Sequence, residues 1–188
     1  MSNRRDRRIV QSENAIIEAG IKVFLANPQA GMSDIAVASG VGRTTLYRHF
    51  DSKEALVQAI ALHCFDEIDE ALQPLHEMSG LEAIEATFEL LIPVANRYRF
   101  LNTMWPDAHK DPRVARKTLQ STSEIGLLID QAKQRGEIDT SLPSIWLSVF
   151  FEMTLYTAWS LLESGDITVG QAKELASRSF FNGCVGST

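Results

Sequence analysis

Residues 31–54, GMSDIAVASGVGRTTLYRHFDSKE, constrain this chain more than any other stretch. Met32, Ile35, Ala36 and Ala38 suit one side of a short helix, capped by Gly31 or Ser33 with Asp34 in its first turn. Ser39-Gly40 breaks that helix, because glycine accepts the left-handed backbone a tight corner requires. Val41 is the lone apolar residue of the break and is expected to plug the corner. A second helix is expected from about Gly42, with Leu46 and Phe50 one turn apart on its inner side. Arg43, Thr44, Thr45, Tyr47, Arg48 and His49 are left for its other faces. Ser52 then caps a further helix that opens with Lys53.

Two short helices about a glycine corner describe a helix–turn–helix, the second helix being fit to enter a DNA major groove. Arginine can form paired hydrogen bonds to guanine, and threonine can bond a base edge or touch a thymine methyl. Tyrosine and histidine can donate to phosphate, and Lys53 can reach one beside the backbone amides of its own helix start. In order, spacing and residue type, DIAVASGV, TLYRHF and KEAL resemble the signature of the TetR family of transcriptional regulators. The resemblance is specific over residues 12–65. It implies that Tyr47, His49 and Lys53 grip phosphates and that Arg43, Thr44 and Thr45 read bases. That family often carries serine where this chain has Gly42; the missing hydroxyl costs the helix only about a few tenths of a kcal/mol but removes one polar contact.

The net charge of −6 argues at first against a nucleic-acid partner. Its distribution answers the objection: residues 1–54 hold eight Lys/Arg against six Asp/Glu, and the remainder ten against eighteen. A basic end on an acidic body suits DNA contact at one end only. Residues 3–8, NRRDRR, are expected to form a flexible arm, either a solvated tail or a phosphate or minor-groove contact.

The rest of the chain reads as helix throughout, giving an all-α fold of about nine helices. The first is expected over Ser12–Ala26, with Ile16, Ala19, Val23 and Phe24 inward and Asn27-Pro28 ending it. Phe24, Ile35, Val41, Leu46 and Phe50 would form the small core behind the second helix of the motif. Another helix runs from Ser52 to about Leu72, before Pro74. Leu81, Ile84, Phe88, Leu91 and Ile92 recur at helical spacing until Pro93 interrupts them. Residues 112–135 form a long helix, with Leu119, Ile125, Leu128, Ile129 and Ala132 expected inward. Residues 142–163 are the most apolar stretch, with Glu152 the only charge between Ile145 and Leu162, and 168–183 make the last helix. The domain boundaries are set at 9–54 for the DNA-binding domain, its helix–turn–helix at about 31–50, and 55–188 for a helical regulatory and dimerisation domain.

A helix apolar all round is buried on more than one side. The family resemblance implies pairing through the last two helices, and two-fold symmetry would let a pair read an inverted repeat with half-sites about 34–36 Å apart. A homodimer is therefore expected, its seam drawn from Phe151, Leu155, Trp159, Leu162, Leu175 and Phe180. The same resemblance implies a cavity for an apolar or amphipathic small-molecule effector. Its candidate lining is Phe88, Tyr98, Met104, Trp105, Trp146, Phe150, Met153 and Tyr156, with Glu152 either paired to Arg97 or Arg99, facing a cationic ligand, or at the bundle rim.

Two cysteines, Cys64 and Cys184, lie far apart without metal-ligand spacing, and no secretory signal is visible. A reduced cytoplasmic setting without a membrane span is expected, with neither metal nor cofactor. His49, His63, His76 and His109 lack the cysteine or carboxylate spacing of a zinc site, and no GxSxG, P-loop or dinucleotide fingerprint occurs. The readings that compete are an enzyme and a DNA-binding architectural protein without a small ligand.

Overall fold

The computed structural model describes the backbone of residues 2–184 and the side chains of residues 9–182. Ten α-helical segments follow one another among the described residues, and one of them is a single turn. They are α1 (Ser2–Ala26), α2 (Met32–Ser39), α3 (Arg43–His49), α4 (Lys53–Leu72), α5 (Leu81–Leu91), α6 (Ala95–Thr103), α7 (Trp105–Ala108), α8 (Pro112–Gln134), α9 (Ser144–Ser164) and α10 (Val169–Cys184). No strand is present among the described residues. They form two compact units, residues 1–66 with 96–115, and residues 67–95 with 116–188.

In the first unit, α1 buries Ile16, Ile17, Ala19, Ile21 and Phe24, and α4 buries Leu56, Val57, Ile60, Ala61, Cys64 and Phe65. The two helices come so close at Gly20 that a β-carbon there would lie 2.5 Å from Cδ1 of Ile60. From α6, Phe100 packs against Phe24 with ring centroids 6.3 Å apart, and Arg97 donates to Glu18 of α1 at 2.8 Å. Asp111 caps α8: Oδ1 accepts the Arg113 amide at 2.7 Å, and Oδ2 accepts from its guanidinium at 2.6 Å. Those bonds hold the Asp111 carboxyl below its ordinary value, the Arg113 side chain contributing most.

Here α1 starts ten residues before the expected Ser12, so the backbone of 3–8 is helical. The side chains of the arginine-rich arm lie outside the described residues. Ala38 is exposed rather than inward, and Val41 is only half-buried. The sides of α2 explain this: Met32, Ile35 and Ala36 already complete a buried stripe at i, i+3, i+4, and Ala38 falls outside it.

In the second unit, Phe88 of α5 is the hub. Its ring meets Phe151 of α9 at 4.4 Å, Phe180 of α10 at 5.6 Å and Phe181 at 6.4 Å. In the same unit Ile84, Leu91, Ile125, Ile129, Leu147, Leu155, Trp159, Ala172 and Ala176 are buried. On α8, Gly126 faces α9, where an added β-carbon would sit 3.9 Å from Oγ of Ser148. Lys133 donates to the Leu142 carbonyl and to Ser144, pinning the start of α9 to the end of α8. Thr168 and Gln171 form a reciprocal cap at the start of α10. Leu119 is 72% exposed rather than inward, because Ile125, Ile129 and Ala132 define a buried side of α8 from which it is turned away. The side chain of Cys184 lies outside the described residues.

Candidate nucleic-acid interface

Gly31 begins α2 with an extended backbone, and Asp34 turns back so that Oδ2 accepts the Gly31 amide at 2.8 Å. Gly40 ends the helix in the left-handed conformation, φ +68°, its amide bonded to the Val37 carbonyl. Across that corner α3 is anchored by Leu46 and then Phe50, both buried. With those two committed inward, helical geometry turns Arg43, Thr44, Tyr47 and Arg48 outward, and all four are exposed. Thr45 is half-buried.

Two expected contacts are partly engaged within the chain. Lys53 donates to the Pro28 carbonyl at 2.8 Å and stands 5.2 Å over the Phe24 ring, which ties the start of α4 to the end of α1. His49 is half-buried beside Phe50, and its Nε2 is buried without a hydrogen-bond partner. Ser52 accepts the Ala55 amide at 3.1 Å and so caps α4. The first unit as a whole holds twelve Lys/Arg against nine Asp/Glu, the second six against fifteen, a sharper division than a cut at residue 54 gives.

The residues expected to line one cavity are divided between the two units. Tyr98, Met104 and Trp105 belong to the first unit, where Met104 is core and Trp105 stacks on His109 at 4.9 Å. In the second unit, Phe88 is core and Phe150 stacks on Phe180 at 5.6 Å. Trp146, Glu152, Met153 and Tyr156 face outward on α9, and an outward side chain lines no interior cavity. Glu152 has no ion pair among the described residues, and burial against its neighbours holds its carboxyl above the ordinary value. Arg97 pairs with Glu18 instead.

The expected seam is also corrected. Phe151, Leu155, Trp159 and Phe180 are buried in the chain's own core and have no surface left for a partner. Leu162 is half-buried, and Leu175 keeps an exposed flank. What α9 shows outward is a second apolar stripe, Ile145, Trp146, Val149, Met153 and Tyr156, each 48–69% exposed. By length and composition α9 is the one helix among the described residues that could cross a membrane; its other side packs in the second unit.

A left-handed glycine corner, the buried Leu46 and Phe50, and an outward polar helix define a helix–turn–helix protein of all-α build. Residues 16–60 match the family model described as bacterial regulatory proteins, tetR family. Over 70 residues the chain is 34% identical to the HTH-type transcriptional repressor LfrR of Mycolicibacterium smegmatis, a stretch that covers 37% of each chain. It is 24% identical over 163 residues to the HTH-type transcriptional regulator UidR of Escherichia coli, covering 81% of this chain and 82% of UidR. Among solved structures, LfrR in complex with proflavine superposes with a TM-score of 0.74 at 23% identity, covering 94% of this chain and 98% of LfrR. The ketosteroid regulator KstR2 of Mycobacterium tuberculosis gives 0.79 at 16% identity, covering 93% and 95%. Over residues 16–60 the chain resembles the TetR family, and the solved regulators share its fold. The relatives it matches are named as transcriptional regulators.

Proposed function

We propose that this chain is a DNA-binding transcriptional repressor that acts as a homodimer on an inverted-repeat operator in the cytoplasm. The observation that carries the reading is the orientation of α3, with Leu46 buried beneath it and Arg43, Thr44, Tyr47 and Arg48 displayed on its outside. Arg43 and Thr44, at the start of α3, stand where a recognition helix touches base edges, and Tyr47 and Lys53 stand for the phosphates. One short helix reads too few base pairs alone, so a two-fold partner is required. The outward stripe of α9, with Leu175 of α10, supplies an apolar face of the kind that partner would cover. Repression is supported by the likeness to LfrR, a repressor by name.

Release by a small effector is supported by the LfrR complex with proflavine. Effector binding would favour a body conformation that tilts α4, one uninterrupted helix from Lys53 to Leu72, and spoils the spacing of the paired recognition helices. A coupling of about 1–3 kcal/mol per site lowers operator affinity roughly five- to 150-fold.

The test is a fluorescence-anisotropy titration against DNA taken from upstream of the chain's own gene, at several salt concentrations. A steep salt slope is expected. Tyr47→Phe should weaken every sequence alike, whereas Arg43→Ala should relax discrimination at one base pair by about 1–3 kcal/mol. Unchanged affinity in both variants would refute the assignment of α3. A thermal-shift screen that includes proflavine separates an effector-responsive repressor from an architectural protein, which would show no shift with any compound.

A further inference from the structure

The outer face of α9 carries an apolar stripe bordered by Glu152, and the neighbouring α10 exposes Arg178 beside Leu175. Stacking of Phe150 on Phe180 at 5.6 Å, and the edge contact of Phe151 with the same ring at 5.8 Å, set residues 150–152 of α9 level with 178–180 of α10. Glu152 follows Ser148 by one turn, and Ser148 is where α9 meets Gly126 of α8, so Glu152 stands on the edge of α9 that looks toward α8. Arg178 precedes Phe181 by three residues, and the Phe181 ring contacts Phe88 of α5 at 6.4 Å. Two residues from Phe180, whose ring meets Phe150 and Phe151 of α9, Arg178 also lies nearly opposite that ring on the helix and so stands on the edge of α10 that looks away from α9.

A two-fold axis parallel to this hairpin lays α9 of one protomer on α10 of the other at the same height, and carries the far edge of α9 onto the far edge of α10. We propose that the dimer seam is closed by two symmetry-related ion pairs, Glu152 of one protomer with the partner's Arg178. The inference rests on the dimer reading above and specifies its partner surface, a second copy of this chain. Charge complementarity supports it. Glu152 has no cation on its own chain among the described residues, and burial alone pushes its carboxyl up, a penalty that an opposing guanidinium would reverse. Arg178 has only a loose 3.8 Å approach to Glu174 on its own helix, with both side chains mostly exposed. A paired guanidinium and carboxylate at the border of the Trp146, Met153 and Tyr156 stripe would also fix the register in which two apolar faces settle.

The test is a charge-reversal cycle on the full chain, with dimer dissociation followed by dilution of labelled protein and by sedimentation. Glu152→Arg and Arg178→Glu should each raise the dimer dissociation constant about tenfold or more, and the double variant should return to within about threefold of the native chain. Both positions are exposed, so far-UV circular dichroism should be unchanged. If a reversal disturbs it, Glu152→Gln and Arg178→Gln replace the reversals, and the double should then weaken the dimer no further than either single. A double reversal as weak as the sum of its singles overturns the pairing. Reversals without effect, in a dimer that Trp146→Glu breaks, overturn the pairing and leave the dimer standing. A native chain that is monomeric at every concentration, or monomeric and bound to lipid vesicles through α9, overturns both.

Discussion

The ammonium of Lys53 donates to the backbone carbonyl of Pro28 at 2.8 Å. This single bond joins the first residue of α4 to the loop after α1, and the cation also lies over the Phe24 ring. A residue expected to grip a phosphate is thus a tether inside the first unit.

Replacing Lys53 by Gln tests both duties. Loss of the bond should lower stability by about 1 kcal/mol, read as a lower midpoint in chemical denaturation with an unchanged slope. The slope of log affinity against log salt should also shrink by about one charge. A lower midpoint with the salt slope intact would make Lys53 a tether only.

Asp111 should give the start of α8 a measurable acid sensitivity. Its carboxyl is held below the ordinary aspartate value, chiefly by the Arg113 side chain and amide. Stabilisation from this cap is therefore complete above the ordinary value and is lost as pH falls toward and through the lower folded value. Asp111→Ala should cost about 1 kcal/mol at neutral pH, as for other helix caps. Urea denaturation of the two proteins should converge as the buffer is made acidic, and a gap that persists there would contradict the assignment.

At Gly20 two effects compete. Alanine gains about 1 kcal/mol of helix propensity but pushes the buried δ-methyl of Ile60 aside, and overpacking of that kind costs about 1–3 kcal/mol. Gly20→Ala should lie near neutral or be mildly destabilising, and Gly20→Ala with Ile60→Val should be better than the sum of the singles. Gly20→Leu has no such relief and should lower the melting temperature of the first unit sharply, visible by differential scanning calorimetry.

The two sides of α9 and α10 should respond in opposite ways. Phe180→Ala empties a site at the centre of four aromatic contacts and should cost about 3–5 kcal/mol of folding stability. Trp146→Ser removes a side chain that touches water and should leave the melting temperature of dilute protein nearly unchanged while weakening self-association in sedimentation.

These variants also mark where sequence reasoning reached its limit. The helix–turn–helix was legible because its information is local: Leu46 and Phe50 repeat at one turn, Gly40 marks the corner, and nothing distant is needed to say which side faces in. On α9 and α10 the same reasoning chose Phe151, Leu155, Trp159 and Phe180 for the seam, and these are the core. Periodicity fails there because both sides of the helix are apolar, and only the ring cluster around Phe88 decides which side is inner. The aromatic run at 98–105 carries no local cue to its packing either. Its place in the first unit depends on pairings 76 and 79 residues apart in sequence, Phe24 with Phe100 and Glu18 with Arg97, which no local pattern reveals.

The three tryptophans sit in three different surroundings: Trp159 sealed in the core, Trp105 stacked on the His109 imidazole, and Trp146 bare on the α9 stripe. The molecule therefore carries an optical gauge of the proposed dimer. With Trp105 and Trp159 changed to Phe, the remaining indole would emit red-shifted light when diluted and blue-shifted light when concentrated. Quaternary state could be watched by colour in unlabelled protein, even while operator DNA is being added.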